Sequence, residues 1–269
     1  MSQPEHWQLV GDAPELYERY KVPALFRPLA QLFLEQVGLR VGERVLDVAC
    51  GTGIVARLAA PQVGPAGQVV GLDFHTGMLD VARAQPSGSG ATVEWRHGDA
   101  MALPFADASF DVVLCQQGLQ FFPDKVRGLR EMARVLVPGG RLALSVWGAV
   151  NPHNAALADA LACYVSADAA TRSLTPHALS NAETVRTLLV DAGFHTVAIR
   201  TAVVTRRLGP LEEALPQEMA STSYAEAVAA LYAATRAALV GDISAALHAY
   251  REGEGFAIPA ETHIVIAQP

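Results

Sequence analysis

Short apolar runs alternate with longer amphipathic stretches through the first half of the chain. Five runs rich in Val and Leu, bounded by Gly, Pro or acidic residues, predict buried strands at Arg44–Ala49, Gln68–Asp73, Thr92–Asp99, Phe110–Cys115 and Arg141–Trp147. Short apolar strands of this kind are typical of a parallel sheet that is covered by helices on both faces.

The amphipathic stretches between these runs predict helices at Gly53–Ala60, His75–Gln85 and Asp124–Val137. Asp124 is a suitable N-cap for the third helix, and the Pro-Gly-Gly sequence at Pro138–Gly140 is expected to stop it. Strands that alternate with helices over about 100 residues indicate βαβ units with right-handed crossovers. The predicted fold class is therefore α/β, with a Rossmann-like, doubly wound sheet.

The second half of the chain has a different pattern. Ser180–Glu183 reads as a capping box that opens a helix, and the alternation over Val197–Val203 predicts a strand. A final strand is predicted at Thr262–Ala267. Two Ala-rich segments, Gly148–Leu179 and Arg207–Gly255, have a helical pattern and are predicted to be insertions into the domain.

Composition and charge exclude several classes of protein. Apolar residues make up 51% of the chain and charged residues 17%, which is a globular composition rather than a disordered one. With 20 Lys and Arg against 27 Asp and Glu, the net charge of −7 argues against binding to nucleic acid. No purely apolar window of 18 residues and no signal-peptide pattern occurs, so we expect no membrane span and a cytoplasmic location. The three cysteines match no zinc or disulfide spacing, and we expect no metal site.

A glycine-rich turn follows the first predicted strand, in the sequence VLDVACGTG. Gly51 and Gly53 allow a ligand to approach the backbone, and the helix behind them offers free N–H groups. Together with Ala56 they also satisfy the relaxed dinucleotide pattern, and Asp73 lies 20 positions after Gly53, where a ribose-binding carboxylate would fall. Taken alone, this pattern does not distinguish between nucleotide cofactors.

Two further carboxylates favour a cationic ligand. Asp47 precedes Gly51 by four positions and would repel a pyrophosphate, but it would attract the ammonium and sulfonium groups of S-adenosylmethionine. Asp99 ends the third predicted strand, where a carboxylate can accept a hydrogen bond from an adenine amino group. The alternatives are that Asp47 only caps the turn and that Asp99 is only a turn residue.

Four consecutive segments then resemble one known family. The sequences VLDVACGTG, GLDFHTGML, HGDAMALPFADASFDVVLCQQGLQFFPD and EMARVLVPGGRLALSVW are similar to the successive motifs of class I S-adenosylmethionine-dependent methyltransferases. The nearest branch is the small-molecule group that includes the ubiquinone and menaquinone C-methyltransferases. The resemblance covers Arg44 to Trp147 and extends less securely to Tyr17–Pro28.

The resemblance implies a fold, a cofactor and a set of site residues. The expected sheet has seven strands in the order 3-2-1-4-5-7-6, with the seventh antiparallel. It implies S-adenosylmethionine as the cofactor, held by Asp47, Ala49, Gly51, Gly53, Asp73, Phe74, Met78, Asp99, Ala100 and Gln116. Residues 1–40 would form an N-terminal helical segment and residues 41–147 the cofactor-binding core of a single domain.

The acceptor side carries fewer signals. Gln117, Gln120, Phe121 and Phe122 are candidates to border the acceptor pocket, although packing alone would also explain the two Phe. His153 is the candidate general base, and the alternative is a surface or capping histidine. Because the insertions contain few cations, we expect a small, largely apolar methyl acceptor, bound under a helical cover formed by residues 148–179 and 207–255.

Other functions stay open at this point. A non-catalytic S-adenosylmethionine-binding protein would carry the same glycines and acids, and an NAD-dependent oxidoreductase is disfavoured by Asp47 and Asp99. The chain is expected to be a monomer or a homodimer. The apolar stripe that includes Tyr224, Val228 and Tyr232 would serve either as core or as a dimer seam, and core is preferred.

Overall fold

A central sheet of eight strands organises the structure, which is a computed structural model that describes residues 11–86 and 88–269. Residues 1–10 of the predicted N-terminal segment lie outside the described residues. The strands are β1 (Arg44–Val48), β2 (Gln68–Asp73), β3 (Val93–His97), β4 (Phe110–Gln116), β5 (Leu136–Trp147), β6 (Thr196–Leu208), β7 (Arg251–Glu252) and β8 (Gly255–Gln268).

The helices lie between the strands and in the insertions. They are α1 (Ala13–Leu16), α2 (Arg27–Val37), α3 (Ile54–Val63), α4 (Thr76–Ala84), α5 (Lys125–Val135), α6 (Pro152–Tyr164), α7 (Ala167–Leu174), α8 (Ala182–Asp191), α9 (Leu211–Ala220), α10 (Ala225–Ala229) and α11 (Ala233–Ala246). A wider π-helical segment, Tyr17–Phe26, joins α1 to α2 without a break.

The sheet order confirms the predicted topology. The strands follow the order β3-β2-β1-β4-β5-β8-β6, and β1 to β5 are parallel. The long strand β8 runs antiparallel to both β5 and β6, so it takes the place of the expected seventh strand. The two-residue strand β7 is an addition that pairs only with β8.

Two apolar layers cover the sheet, one on each face. Leu46 and Val48 of β1 face a cluster that includes α5 and α8, whereas Val45 faces a cluster that includes α2 and α3. Neighbouring strand residues point to opposite faces, which explains why the parallel strands read as continuous apolar runs. The sheet is thereby held rigid, and its carboxyl edge is left to carry polar side chains.

The insertions pack on each other rather than on the centre of the sheet. Helices α6, α9 and α11 bury one apolar cluster that also contains Phe256 and Ile258 of β8. In the described part of the chain, Tyr224 and Val228 belong to this cluster, which supports the core interpretation of the stripe, whereas Tyr232 is 86% exposed. The antiparallel ladder of β6 and β8 is longer than predicted, because pairing continues from Thr196 to Leu208.

Two local predictions were wrong. The helix predicted to end at Val137 ends at Val135, and β5 starts at Leu136 rather than Arg141, so that Pro138–Gly140 belong to the strand. The N-cap of α8 is Asn181 rather than Ser180, since the Asn181 side chain accepts hydrogen bonds from two backbone N–H groups of the first turn.

A search of the described residues for a helix long and apolar enough to cross a membrane found none.

Gly53 gives a direct test of how the glycine turn packs. Gly53 and Gly139 have nearly the same left-handed φ, +85° and +81°, but a Cβ on Gly53 would overlap the Trp95 ring while a Cβ on Gly139 would meet open space. Gly139→Ala is expected to lower the free energy of unfolding by about 1–2 kcal/mol, for the backbone conformation alone. Gly53→Ala should lose that amount and about 1–3 kcal/mol more from overpacking. Equal losses in urea unfolding of the two variants would contradict the packing against Trp95.

Candidate functional site

A cavity of about 450 Å³ opens at the carboxyl ends of β1, β2 and β4. This is the edge at which ligands bind in open α/β sheets. The predicted site residues that line it are Asp47, Ala49, Gly51, Asp73, Phe74, Met78, Asp99, Ala100, Gln116, Gln117, Gln120, Phe121 and Phe122. The fold therefore brings together side chains that are spread over 76 positions of sequence, from 47 to 122.

The glycine turn after β1 is built by backbone conformation. Ala49 and Gly51 have left-handed φ values of 57° and 56°, and the N–H of Cys50 donates to the carbonyl of Leu72 in β2. A Cβ on Gly51 would meet no atom within 4 Å. The turn thus presents bare backbone to the cavity, as a close-fitting ligand requires.

Asp73, at the end of β2, holds this turn in place. One carboxylate oxygen accepts from the N–H of Gly51 at 2.7 Å, and the other accepts from the N–H of His75 at 2.8 Å. Burial raises the pKa of Asp73, although both hydrogen bonds oppose the rise. The carboxylate lines the cavity and is available there to the hydroxyl groups of a ligand.

Asp47, at the end of β1, is almost completely buried. Its Oδ2 atom accepts from the N–H of Ala56 at 3.1 Å, so the capping alternative accounts for one of its oxygens. Burial raises the pKa of Asp47 to about 8, and the nearby Asp73 carboxylate adds to the rise. A cation in the cavity would reverse this shift, because it would stabilise the ionised carboxylate.

Asp99, Phe74 and Met78 lie together at one end of the cavity. Asp99 accepts from the N–H of Met101 at 2.8 Å, which is the turn geometry that was the alternative interpretation. The ring of Phe74 is 45% exposed and lies 5.8 Å from the ring of His97. An exposed aromatic face beside a carboxylate is a suitable place for a flat base.

Three glutamines, at the end of β4 and in the segment before α5, form a polar part of the cavity wall. Gln116 donates to the carbonyl of Phe26 at 3.5 Å, while Gln120 donates to Gln117, which in turn donates to Thr262 at 3.1 Å. Gln117 has a left-handed φ of 56°, a strained conformation for a residue with a side chain. The Oε1 atoms of Gln116 and Gln120 are buried and have no hydrogen-bond partner among the described residues.

Phe122 supports both interpretations proposed for it. Its ring lines the cavity and also packs in the core, where a Cβ on Gly128 of α5 would collide with it. Phe121 lines the cavity as well.

Two predicted site residues lie elsewhere. Gly53 is not among the described residues that line the cavity; it is the N-cap of α3 and packs against Trp95. His153 also lies off the cavity lining, and its ring is fully buried with Nε2 donating to Glu218 at 3.1 Å. His153 is therefore not a surface histidine, and its ring lies apart from the cavity in which the other predicted site residues meet.

His177 lines the cavity beside the insertions, and His75, the N-cap of α4, lines it next to Asp73. The Nδ1 atom of His177 lies 3.1 Å from the carbonyl of Gly148, which only accepts, so Nδ1 carries the proton and Nε2 keeps its lone pair. Burial lowers the pKa of His177. The short 3-10 turn after α7 that places this ring carries no motif in the sequence, so sequence reasoning did not find it.

Charged side chains also line the cavity, at the end formed by the insertions. Lys21, Arg172, Arg206 and Glu218 come from four separate parts of the chain. The insertions contribute only Arg172 to these cations, in keeping with their low content of Lys and Arg, whereas Lys21 comes from the N-terminal segment and Arg206 from β6. We call Lys21, Arg206 and Glu218 the charged cluster.

The described residues suit S-adenosylmethionine. Its cationic groups, hydroxyls and amino group need acceptors, and the cavity offers Asp47, Asp73, Asp99 and the unpartnered Oε1 of Gln116. The bare backbone of Gly51 leaves room for a ligand to lie against it. A pyrophosphate would face the same buried carboxylates at close range. Among the described residues, no three His, Cys, Asp or Glu side chains converge as metal ligands would.

Comparison with known protein sequences agrees with this geometry. Residues 45–140 match the family model of a methyltransferase domain. The demethylmenaquinone methyltransferase of Staphylococcus aureus is 46% identical over 107 residues, which cover 40% of this chain and 44% of that protein. The chain thus spans less than half the length of the curated relatives it matches.

Solved structures share the fold. A methyltransferase-like protein from Bacillus halodurans superposes with a TM-score of 0.57 at 24% identity, over 87% of this chain and 96% of that one. The [4+2]-cyclase SpnF superposes with a TM-score of 0.53 at 23% identity, over 90% of this chain and 80% of that one. At these identities the likeness concerns the fold alone.

The sequence match and the fold agree with each other. The region that matches a methyltransferase domain, residues 45–140, carries the glycine turn and the three carboxylates that line the cavity. S-adenosylmethionine is the cofactor that this similarity indicates. Residues 45–140 of the chain are thus similar to a methyltransferase domain that uses S-adenosylmethionine, and the demethylmenaquinone methyltransferase of Staphylococcus aureus is among the proteins that the chain resembles.

Proposed function

We propose that the protein transfers a methyl group from S-adenosylmethionine to a small organic acceptor. The observation that carries the proposal is a single cavity with two ends: one end has the glycine turn and the carboxylates, and the other is closed by the insertions. Helices α6 and α7 and the residues after α9 border the second end, which supports a role for both insertions as the acceptor cover. The name of the Staphylococcus aureus relative supports an acceptor with a large apolar part.

The residues at the first end would hold and orient the cofactor. Asp47 would lie beside its cationic groups, Asp73 would accept from its ribose hydroxyls, and Phe74 and Asp99 would meet its adenine. When bound, S-adenosylmethionine supplies a methyl group that is already activated by the sulfonium. The chain therefore has to align the acceptor with that methyl group and exclude water.

The residues at the second end would shape the acceptor pocket. Trp147, Phe121 and Leu157 offer apolar walls, and Gln120 offers the unpartnered Oε1 atom. His177 replaces His153 as the proposed general base. Its Nε2 lone pair would take the acceptor's proton, and the Gly148 carbonyl would fix the ring through Nδ1.

Cofactor binding and turnover test the proposal. In a chelating buffer, calorimetry should show binding of S-adenosylhomocysteine without added metal, because the acceptors that hold it are protein groups. Incubation of S-adenosylmethionine with a panel of small acceptors should release S-adenosylhomocysteine. Binding of the cofactor product without turnover of any acceptor would favour a non-catalytic binding protein, and tighter binding of NAD would overturn the cofactor assignment.

Asp47→Asn is expected to stabilise the free protein and weaken the complex. In the folded chain Asp47 keeps its proton up to a pH of about 8, whereas in the unfolded chain it loses it near 3.8. The folded state therefore binds more protons between these values, and stability falls as the pH rises through this window. At pH 8 the Asn variant should gain more than about 1 kcal/mol in urea unfolding, the free energy of a one-unit pKa shift.

The same variant should bind S-adenosylmethionine more weakly, since the amide has no charge to offer the cation. Asp111→Asn is the matched control on the other edge of the sheet. Arg44 lowers the pKa of Asp111, so its replacement should destabilise the protein at pH 8 and leave cofactor binding unchanged. A loss of stability in both variants would contradict the assignment of Asp47.

His177→Gln is expected to lower kcat by roughly 100-fold with little change in binding of S-adenosylhomocysteine, as loss of a general base does. His248→Gln is the control, because that exposed histidine also places Nδ1 3.1 Å from a backbone carbonyl, that of Ala245. Since burial lowers the pKa of His177, the acidic limb of the wild-type kcat profile should lie below the usual histidine range. Equal activity of the two variants would exclude His177 as the base.

A further inference from the structure

Two of the three side chains of the charged cluster are buried, and the third is partly buried, although their charges do not cancel. Arg206 is 5% exposed and Glu218 is 8% exposed, and Lys21 lies beside them in the cavity wall. Charged side chains are seldom buried unless each has a partner, because removal from water is costly. The partners of each group therefore indicate what the cluster is for.

The Glu218 carboxylate interacts with Arg206 and His153. Its Oε1 atom forms an ion pair with Arg206 and accepts from Nε2 of His153 at 3.1 Å. Burial lowers the pKa of His153, so this histidine is neutral and contributes no charge. Arg172, which borders the cluster, pairs with Asp168 at 3.0 Å. These pairs account for the positive charges of both arginines.

Lys21 is left over. Its ammonium donates to the carbonyl of Ser221 at 3.1 Å, and no carboxylate among the described residues forms an ion pair with it. Burial lowers the pKa of Lys21 to about 8, and repulsion from Arg206 adds to this, while Glu218 opposes it only in part. Two cations against one anion leave the charged cluster with one positive charge in excess.

The two arginines also have side-chain N–H groups that form no hydrogen bond among the described residues. The Nε atoms of Arg206 and Arg172 are buried and have no hydrogen-bond partner among the described residues. A buried N–H without a partner is rare in folded proteins, and a guanidinium uses such a group to bind planar oxyanions. The ammonium of Lys21 has two further hydrogens besides the one that Ser221 accepts. Donors and excess charge thus meet in the wall of one cavity.

We propose that the charged cluster is a subsite for one carboxylate group on the methyl acceptor, held by Lys21 and Arg206 with Arg172 at its border. The proposal deepens the proposed function and rests on it: the acceptor has an apolar body, which lies near His177 and Trp147, and an anionic end. A carboxylate carries one negative charge, which matches the one positive charge in excess. A phosphate monoester would bring nearly two charges next to Glu218, and repulsion would disfavour it.

The placement of Lys21 links the subsite to the cofactor end. Lys21 lies one turn after Tyr17 in the π-helical segment. Burial raises the pKa of the Tyr17 phenol, the Glu18 carboxylate adds to the rise, and Asp73 is close enough to contribute as well. One helical segment thus borders both ends of the cavity. An acceptor anchored by its carboxylate at Lys21 would extend its apolar part toward the methyl group.

Binding of matched probes to the full chain tests the subsite. With S-adenosylhomocysteine present, calorimetry would compare cinnamate, its uncharged amide and phenyl phosphate, together with acetate as a minimal carboxylate. Cinnamate should bind at least about tenfold more tightly than the amide, as expected for hydrogen bonds to a charged group. Cinnamate should also bind more tightly than phenyl phosphate. Tighter binding of the phosphate would overturn the carboxylate assignment.

Three variants separate a binding role from a structural one. Lys21→Met removes the unpaired charge and should weaken cinnamate binding about tenfold, while binding of S-adenosylhomocysteine stays as in the wild type. Lys125→Met changes the only other lysine of the chain, which donates to the Phe122 carbonyl, and should leave cinnamate binding unchanged. Glu218→Gln removes the opposing charge but keeps an acceptor, so it should strengthen cinnamate binding.

Opposite signs for Lys21→Met and Glu218→Gln are the result that a merely structural cluster would not give. Equal affinity for cinnamate and its amide, or no binding of any carboxylate including acetate, would overturn the subsite. Either result would leave the proposed methyl transfer intact if S-adenosylhomocysteine binds and an acceptor is turned over. Failure of S-adenosylhomocysteine to bind would instead remove the proposed function itself.

Discussion

Burial of two carboxylates at adjoining strand ends is the constraint on which the rest of the site depends. Asp47 and Asp73 are both held by backbone N–H groups, one from α3 and one from the glycine turn. These hydrogen bonds fix the turn between β1 and α3 to the end of β2. They do not neutralise the acids, so burial raises both pKa values. A cationic ligand would favour the ionised forms of both carboxylates.

Positive charge is in excess at the other end of the same cavity, beside the insertions. Lys21 and Arg206 outnumber Glu218 there, and the walls between the two ends are largely apolar. In such a low-dielectric space, charges of opposite sign at the two ends act strongly on any ligand between them. Under the proposed function, this polarity would orient both reactants before any covalent step, and orientation is a large part of what a methyl transfer requires of a protein.

The proposed cover is built from several separate segments of the chain. The ladder of β6 and β8 extends past the carboxyl edge of the sheet, and Arg206 lies on this extension. Helices α6, α9 and α11 pack against the same extension through a shared apolar cluster. The position of Glu218 on α9 follows from that packing, and the buried pair with Arg206 ties the second insertion to the strand. The cover thus depends on the sheet's antiparallel end, whereas the cofactor end depends on its parallel centre.

The sequence by itself determined the parallel core and the cofactor end. The apolar runs, the glycine turn and the acids at strand ends are local signals, because each strand, turn and following helix lies within a few tens of residues. Even there, the packing of Gly53 was not predicted, since its contact is with Trp95 of β3. Only the tertiary structure determined which residues lie at the proposed acceptor end of the cavity. Lys21 and Ser221 are 200 positions apart, and the lone pair of His177 is fixed by a carbonyl 29 residues away. Such contacts arise from the packing of whole elements. For that reason, no local sequence pattern identifies Lys21 or His177 as a site residue.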